Sequence, residues 1–325
     1  MKNTNHRYLT LISRTLVPNP KVVLPALVAF AWALAVACGS SAAPTTAPQP
    51  TSAPVDPTAL NSIVATTVLE VGEQRVAFLL TTNKGILKTP TALVTPVFLG
   101  GDGFTGPTTE AQFNLWPYGI RGSYSTYANF DRPGRWRLDV QVDNPEGVDE
   151  VHIELDVLDK SPVPALGSAA LRSETKILAD HAAIEDITTD FSPDPDLYQI
   201  TIKTAVENPL PSVIVFATPA FCTSPTCGPQ VDTITELKEK HPGLANYIHV
   251  EIYDNPAEIQ GNLDRAEIFS VVDDWRLTSI EDYFNESWTF ILDADGLIDD
   301  RFEGFATLDE LEAALEKVLS DTLVQ

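Results

Sequence analysis

Residue types that carry redox, metal or phosphate chemistry are rare in this sequence. Its 325 residues include three cysteines, five histidines and one methionine. It has no phosphate-binding glycine loop, no dinucleotide-binding glycine fingerprint and no Cys-x2-Cys-His motif for haem attachment. We therefore expect no nucleotide, flavin or haem cofactor.

Basic residues are also scarce. Four of the 21 lysines and arginines lie in the first 21 positions, which contain no acid, and the rest of the chain holds 17 basic and 45 acidic residues. Because this surface repels phosphate groups, nucleic acid is not an expected partner. The hydrophobic fraction, 44%, and the charged fraction, 20%, are typical of a packed globular protein.

The apolar run near the N-terminus is short for a membrane span. Residues 22–37 form 16 mainly apolar positions with a proline inside, after a basic segment, as in a secretory signal peptide. The run ends in Ala35-Val36-Ala37-Cys38, which resembles the cleavage box of bacterial lipoproteins apart from Ala35, where leucine is usual. The resemblance implies that residues 1–37 are removed and that Cys38 carries a lipid.

Two other interpretations of the N-terminus remain open, namely cleavage by ordinary signal peptidase after Ala37 and retention as an uncleaved anchor. All three place the chain outside the cytoplasm. Residues 38–58 are rich in Ser, Ala, Pro and Thr and almost without charge. Because such a composition cannot build a core, these residues are predicted to be an extended tether between the membrane and the folded protein.

Residues 59–160 are predicted to be an all-β domain. Short β-rich runs alternate there with Gly and Pro, and the runs at 134–142 and 151–157 alternate strictly between apolar and polar residues. About seven such strands fit a β-sandwich. The alternation places His152 on the solvent side, where it is not expected to bind metal. It also assigns four residues to the core, Trp136, Leu138, Val140 and Val142, and four to water, Arg135, Arg137, Asp139 and Gln141.

The stretch at 127–140 resembles the late hairpin of immunoglobulin-like domains on bacterial surface proteins. The resemblance implies an immunoglobulin-like spacer or a module that docks a partner. Residues 161–195 return to Pro, Ser, Asp and Ala with little periodicity, and they are predicted to be a linker that lies along the next domain.

Residues 196–325 are predicted to be an α/β domain. The continuous apolar run at 212–218 is typical of a buried central strand, and it leads into Cys222 and Cys227. A helix then buries one apolar face, and a second core strand follows at 247–253. The remaining predicted elements are a helical stretch through 267–274, a hairpin at 288–302, and a last helix that begins with a capping box at Thr307 and Glu310.

This order, with cysteines between the first strand and the first helix, resembles the thioredoxin superfamily over about 125 residues. The hairpin resembles that of membrane-anchored thioredoxins of the cytochrome-maturation kind. Such proteins exchange disulfides with protein partners, because a helix N-terminus stabilises a thiolate. The resemblance implies that Cys222 is the attacking thiol and Cys227 the resolving thiol. In a second alignment, Cys227-Gly228-Pro229-Gln230 takes the place of the family's Cys-Gly-Pro-Cys.

The sequence departs from the family at three places. Its cysteine spacing is Cys-x4-Cys in place of Cys-x2-Cys. The family's cis-proline position, just before the hairpin strand, holds Ser287 or Trp288. The buried acid of the family would fall at Val215 or Phe216, which cannot exchange a proton.

Thiol–disulfide exchange is therefore the leading hypothesis, and three others remain open. The first is a binding protein whose disulfide is structural, as is common in exported domains. The second is a copper chaperone of the Sco type, although the required histidine before the hairpin is missing. The third is a peroxidase resembling peroxiredoxin, which lacks the usual Thr-x-x-Cys context around Cys222.

Overall fold

The computed structural model describes residues 60–101, 103–117, 119, 121–144, 147–280 and 287–324. All of these residues belong to one compact unit, Pro54–Gln325. The predicted signal segment, Cys38 and the predicted tether at 38–58 lie outside the described residues. Within the described part of the chain, no helix is both long enough and apolar enough to cross a bilayer.

The first half of the described chain, the β region, is built of strands as the alternating sequence predicts, with nine in place of the seven or so expected. They are β1 Asn61–Val64, β2 Leu69–Glu70, β3 Gly72–Thr82, β4 Gly85–Ile86, β5 Thr91–Phe98, β6 Thr109–Leu115, β7 Gly122–Phe130, β8 Gly134–Asn144 and β9 Gly147–Leu158. The predicted inward side of β8 is confirmed, because Trp136, Leu138, Val140 and Val142 are all at most 1% exposed.

The strands are hydrogen bonded along one continuous path, β1-β3-β7-β6-β5-β8-β9-β2, with β4 paired to β3. The predicted separation into two independent sheets is therefore not observed. The cause is β6, whose first residues pair with β5 and whose last residues pair with β7. The two halves of the path still pack on each other. The rings of Phe130 on β7 and Trp136 on β8 meet edge to face, with 5.2 Å between their centroids.

The connecting segment, residues 161–195, is anchored to the second half of the molecule. Its backbone exchanges hydrogen bonds with the end of the last hairpin: Gly167 N–H donates to the carbonyl of Ile298, and Ile298 N–H donates to the carbonyl of Ser168. Val163 and Ile187 are each 2% exposed. The segment therefore adds a short antiparallel bridge to the edge of the next sheet, in addition to its role as a linker.

The second half, the α/β region, follows the predicted order of elements. Its strands are β10 Ser212–Ala217, β11 Asn246–Glu251, β12 Trp288–Leu292 and β13 Ile298–Glu303, and its helices are α1 Ile202–Val206, α2 Cys227–Lys240, α3 Pro256–Ile259, α4 Ser270–Asp274 and α5 Leu308–Val324. The sheet order is β11-β10-β12-β13. β10 is parallel to β11 and antiparallel to β12, and every residue of β10 is buried.

The helical stretch predicted before β12 is broken into short pieces. Gln260 and Gly261, which follow α3, both adopt positive φ angles, 47° and 77°. A left-handed backbone ends an α-helix, so α3 cannot continue into α4. The capping box of α5 is confirmed: Glu310 N–H donates to Thr307 Oγ1 at 3.3 Å, and Thr307 N–H donates to Glu310 Oε2 at 2.9 Å.

Buried ion pairs join the β region to the α/β region. Arg75 of β3 contacts Glu310 of α5 at 2.8 Å, and Arg301 of β13 contacts Glu70 of β2 at 3.1 Å. Burial by itself would raise the pKa of Glu310, but the charge and hydrogen bond of Arg75 hold that pKa below its ordinary value. Because these charges are buried together, the two regions share one polar contact layer.

Candidate functional site

The strand–helix junction after β10 brings the two cysteines together. β10 ends at Ala217, and α2 begins at Cys227, so the intervening residues form a loop at the end of the central strand. Cys222 and Cys227, which are separated by five positions, form a disulfide with an S–S distance of 2.04 Å. The predicted pairing of these two cysteines is confirmed.

The two sulfur-bearing residues differ in exposure and in place. Cys227 is fully buried and is the first residue of α2, where unpaired backbone N–H groups favour negative charge. Cys222 is half-buried and lies in the loop before the helix. Cys222 is therefore the more exposed residue of the pair, and Cys227 is the one at the helix N-terminus.

Gln230 takes the place of a second cysteine if α2 is aligned by its first residue. The helix starts at Cys227, which agrees with the alignment that sets Cys227-Gly228-Pro229-Gln230 against the family's Cys-Gly-Pro-Cys. The other alignment, with Cys222 as the first cysteine, agrees with the distance from β10. Gln230 is fully buried, and its side-chain oxygen accepts a hydrogen bond from Ala306 N–H at 2.7 Å. It ties α2 to the segment before α5.

The predicted cis-proline position is held by Ser287 and Trp288. Trp288 begins β12, the strand beside β10, and Ser287 precedes it. Both are buried, and Ser287 exchanges hydrogen bonds with Gly304 of the neighbouring strand end. The indole N–H of Trp288 is buried and has no hydrogen-bond partner among the described residues. No cis peptide bond occurs in the described ranges.

The family's buried acid is absent where the resemblance would place it, because Val215 and Phe216 belong to the apolar core. A different buried acid, which the sequence analysis missed, lies at the end of the neighbouring strand. Glu251 of β11 accepts hydrogen bonds from the backbone and hydroxyl of Thr189 at 2.7 and 2.8 Å. Burial raises the pKa of Glu251 to about 7. The available signal in the sequence was Glu251 itself, an acid at the end of the predicted core strand β11.

His249, two residues earlier on β11, has both ring nitrogens engaged. Nδ1 contacts the hydroxyl of Tyr198 at 2.6 Å, and Nε2 contacts the carbonyl of Ala217 at 3.1 Å. A carbonyl can only accept, so Nε2 carries the hydrogen and Tyr198 donates to Nδ1. Burial lowers the pKa of His249 to about 4, so the ring is neutral at pH 7. It is a packed core residue, and its nitrogens are not open to a metal.

Two clusters in the described part of the chain could hold a metal ion by geometry, and neither contains a cysteine. One is Asp139, Glu150 and His152 on the surface of β8 and β9, and the other is His241, Glu312 and Glu316. His152 is 53% exposed and contacts Asp139 at 2.8 Å, in agreement with its predicted solvent side. The cysteine–histidine site of a copper chaperone is therefore not formed by Cys222, Cys227 and the described histidines.

A cavity of about 640 Å³ opens next to the disulfide loop, between the β region and the α/β region. We call it the junction cavity. Ser224 and Thr226, which lie between the two cysteines in sequence, form part of its wall, and the hydroxyl of Ser224 is 3.9 Å from Cys222 Sγ. The apolar part of the wall consists of Ile63, Val64, Ala65, Ala77, Leu79, Ile86, Trp116, Ile280, Trp288 and Phe305.

A disulfide at the junction of a central strand and the next helix, on a sheet of this order, defines a thioredoxin-like fold, as the sequence resemblance predicted. No protein-family model and no curated protein matches the sequence. Among solved structures, this chain is similar to the thioredoxin-family thiol:disulfide interchange protein from Chlorobium tepidum TLS. The alignment covers 41% of this chain and 95% of that one. The identity is 8% and the TM-score 0.29, so the fold assignment depends on the element order and the strand pairing.

Proposed function

We propose that this protein catalyses thiol–disulfide exchange with protein partners through Cys222 and Cys227. The observation that supports the proposal is the asymmetric disulfide, which joins half-buried Cys222 in the loop to fully buried Cys227 at the start of α2. A permanent cross-link does not require this arrangement, whereas exchange requires an accessible sulfur and a stabilised leaving thiolate.

The exchange proceeds in two displacements. In the oxidising direction, the thiolate of a partner attacks Cys222 Sγ, the Cys222–Cys227 bond breaks, and Cys227 leaves as a thiolate at the helix N-terminus. A second partner thiolate then attacks the mixed disulfide and releases Cys222. The partner loses two electrons and two protons and gains a disulfide, while Cys222 and Cys227 become thiols. The same steps in reverse reduce a partner disulfide.

The cellular setting of this activity is proposed from the N-terminal sequence. Cleavage before Cys38 and lipidation of its thiol would hold the protein on the outer side of the cell membrane through residues 38–58. The β region would then be an immunoglobulin-like spacer between the tether and the α/β region. The two packed halves of its strand path support this proposal.

The reduction potential of the Cys222–Cys227 pair tests the proposal. We expect a midpoint above about −250 mV when free thiols are counted in graded redox buffers, in the range of known exchange catalysts. Cys222→Ser removes the sulfur assigned to react with partners and should abolish exchange. A midpoint below about −300 mV, or a bond that resists reduction until the protein unfolds, would contradict catalysis.

A binding protein with a structural disulfide is the second candidate. The observation in its favour is that Cys227 packs among buried apolar residues of α2 and its neighbours. For such a protein, reduction would lower the free energy of unfolding by about 2–4 kcal/mol, and exchange with partners would not occur.

A further inference from the structure

The junction cavity is large enough to enclose a small molecule. Its volume of about 640 Å³ falls in the range of about 300–1,000 Å³ typical of ligand pockets. One face of β3 forms part of its wall, because Ala77 and Leu79 line the cavity and alternate with the core residues Phe78 and Leu80. A mainly apolar wall favours an occupant with an apolar body.

The acid in this wall is already engaged by the protein. The carboxylate of Glu303 accepts hydrogen bonds from the backbone N–H and the hydroxyl of Thr67, both at 2.6 Å, and from Val68 N–H at 3.3 Å. The charge of nearby Arg301 offsets the charge of Glu303. Glu303 is therefore satisfied without a ligand.

The basic residue in the wall, Arg121, is not engaged in this way. It lines the cavity and is exposed, and its guanidinium forms no ion pair or hydrogen bond with the residues that the structure describes. Other arginines of this acidic chain each contact a carboxylate within 3.3 Å; these are Arg75, Arg132, Arg135, Arg137, Arg172 and Arg301. Arg121 thus offers a positive charge at the edge of an apolar cavity.

Local hydrogen bonds hold the backbone of Arg121 beside the cavity. Trp116 N–H donates to the carbonyl of Arg121 at 2.9 Å, and the indole N–H of Trp116 donates to Ser123 Oγ at 3.1 Å. All three residues line the cavity. Gly122 between them packs closely on β6, because a Cβ there would lie 2.6 Å from the carbonyl oxygen of Asn114. The position of the arginine relative to the apolar wall is therefore set by the fold.

We infer that the junction cavity binds a small amphipathic carboxylate, with its apolar body against β3 and its head group at the guanidinium of Arg121. A guanidinium and a carboxylate pair through two parallel N–H···O bonds, which favours this head group over a neutral one. A single arginine on an otherwise acidic surface also favours one negative charge over the two of a phosphate. This binding does not depend on thiol–disulfide exchange.

Binding is measured with dansyl-labelled undecanoate and with its methyl ester, each added to the full-length protein. The fluorescence of the dansyl group rises when the probe leaves water, so both affinities come from titrations of the same kind. We expect the acid to bind at least about tenfold more tightly than the ester, because only the acid can form the charged pair with Arg121.

Arg121→Gln should remove this preference. The affinity of the acid should fall at least about tenfold, and the affinity of the ester should change less than about twofold. Arg135→Gln is the matched control, since Arg135 is an exposed arginine of β8 that does not line the cavity. It should change the affinity of either probe less than about twofold.

A second pair of variants tests whether the probes occupy the cavity. Ile63→Asp puts a charge in the apolar wall and should weaken the acid and the ester alike, at least about tenfold. Leu93→Asp is its control, because Leu93 of β5 does not line the cavity. These positions are 55% and 46% exposed, so urea unfolding of both variants should match that of the wild-type protein.

Four results would each overturn the inference. The first is failure of both probes to bind, and the second is equal affinity of the wild-type protein for acid and ester. The third is binding that Ile63→Asp leaves unchanged, which would place the probes elsewhere on the protein. The fourth is a concentration-dependent dimer in ultracentrifugation that Ile63→Asp dissociates and the acid does not, which would assign the cavity to a second copy of the chain.

Discussion

At the scale of single residues, the disulfide is defined by the difference between its two cysteines. Cys222 is half-buried in the loop, and Cys227 is fully buried at the first position of α2. Sequence spacing predicted the pair, but it could not decide which cysteine begins the helix, because the loop of nine residues between β10 and α2 has no periodicity. The roles proposed for the two thiols are supported by this difference in exposure, which the sequence does not show.

Cys227→Ser should trap partner proteins. With Cys227 absent, a mixed disulfide at Cys222 cannot be released by the buried thiol, so covalent adducts accumulate. Non-reducing electrophoresis of the variant after incubation with a disulfide-bonded peptide should show the adduct. Cys222→Ser is the control and should show none; adducts of equal yield in both variants would contradict the assigned roles.

Two buried groups on β11 should give the protein opposing pH dependences. The pKa of His249 is lowered from 6.5 to about 4, so the unfolded chain binds a proton that the folded protein does not. The contribution of His249 to stability is therefore lost as pH falls from 6.5 through 4, by about 3 kcal/mol. The pKa of Glu251 is raised from 4.5 to about 7, so the folded protein holds a proton that the unfolded chain has released. The contribution of Glu251 to stability is therefore lost as pH rises from 4.5 through 7.

Glu251→Gln separates these two effects. In the variant, the free energy of unfolding should rise by about 3 kcal/mol between pH 4 and 6.5, because the contribution of His249 is no longer opposed by that of Glu251. The wild-type protein should change less over the same range. Urea unfolding at several pH values measures both curves, and parallel curves for the two proteins would rule out a raised pKa at Glu251.

At the scale of elements, the first turn of α5 both caps its own helix and binds the β region. Glu310 completes the capping box with Thr307, and it also accepts hydrogen bonds from Arg75 Nε at 2.8 Å and from the hydroxyl of Ser125 at 2.7 Å. The cap was predictable from the spacing of Thr and Glu. The ion pair was not, because Arg75 is 235 positions away in sequence.

Substitutions at the start of α5 should separate the effect of the cap from that of the Arg75–Glu310 ion pair. Thr307→Ala should lower the free energy of unfolding by about 1 kcal/mol, the usual effect of losing a cap. Glu310→Gln should lower it by about 3 kcal/mol, because the guanidinium of Arg75 remains buried without its counter-charge. Glu316→Gln, at an exposed position of the same helix, is the control, with an expected change below about 0.5 kcal/mol. Equal effects of Glu310→Gln and Glu316→Gln in urea unfolding would show that the ion pair is unimportant.

Elements with strong patterns were predicted correctly, and elements held by distant contacts were not. β8, β10 and the last helix followed from alternation, a continuous apolar run and a capping box. β6 was missed, because Thr109–Leu115 has mixed polarity and pairs with two different neighbours. The connecting segment gave no signal either, since isolated buried residues such as Val163 and Ile187 anchor it at irregular intervals.

At the scale of the whole molecule, the β region and the α/β region meet through buried polar groups. Besides the pairs Arg75–Glu310 and Arg301–Glu70, Tyr127 donates a hydrogen bond to Asp300 at 2.6 Å. Burial raises the pKa of Asp300, and the hydroxyl of Tyr127 opposes that change. The sequence indicated two separate domains with a linker and gave no sign of this layer, because its partners come from opposite ends of the chain.

The two regions should unfold together. Separation would expose Arg75, Glu70 and their partners, so each region is stabilised by the other. Hydrogen exchange measured by mass spectrometry in increasing urea should show β8 and β10 peptides losing protection at the same concentration. Arg301→Met should leave Glu70 buried without its charge partner and separate the two transitions. Earlier loss of protection in β8 of the wild-type protein would contradict this coupling.

The bridge between Gly167–Ala170 and the start of β13 also bears on how the chain avoids association. A sheet edge with free N–H and C=O groups is a template on which another polypeptide can add, and this is a common route to aggregation. Residues 167–170 occupy part of that edge of the α/β sheet with three backbone hydrogen bonds, to Ile298 and Gly296. Residues 167–170 therefore shield part of this edge with the chain's own backbone, so a foreign strand can add there only after it displaces them.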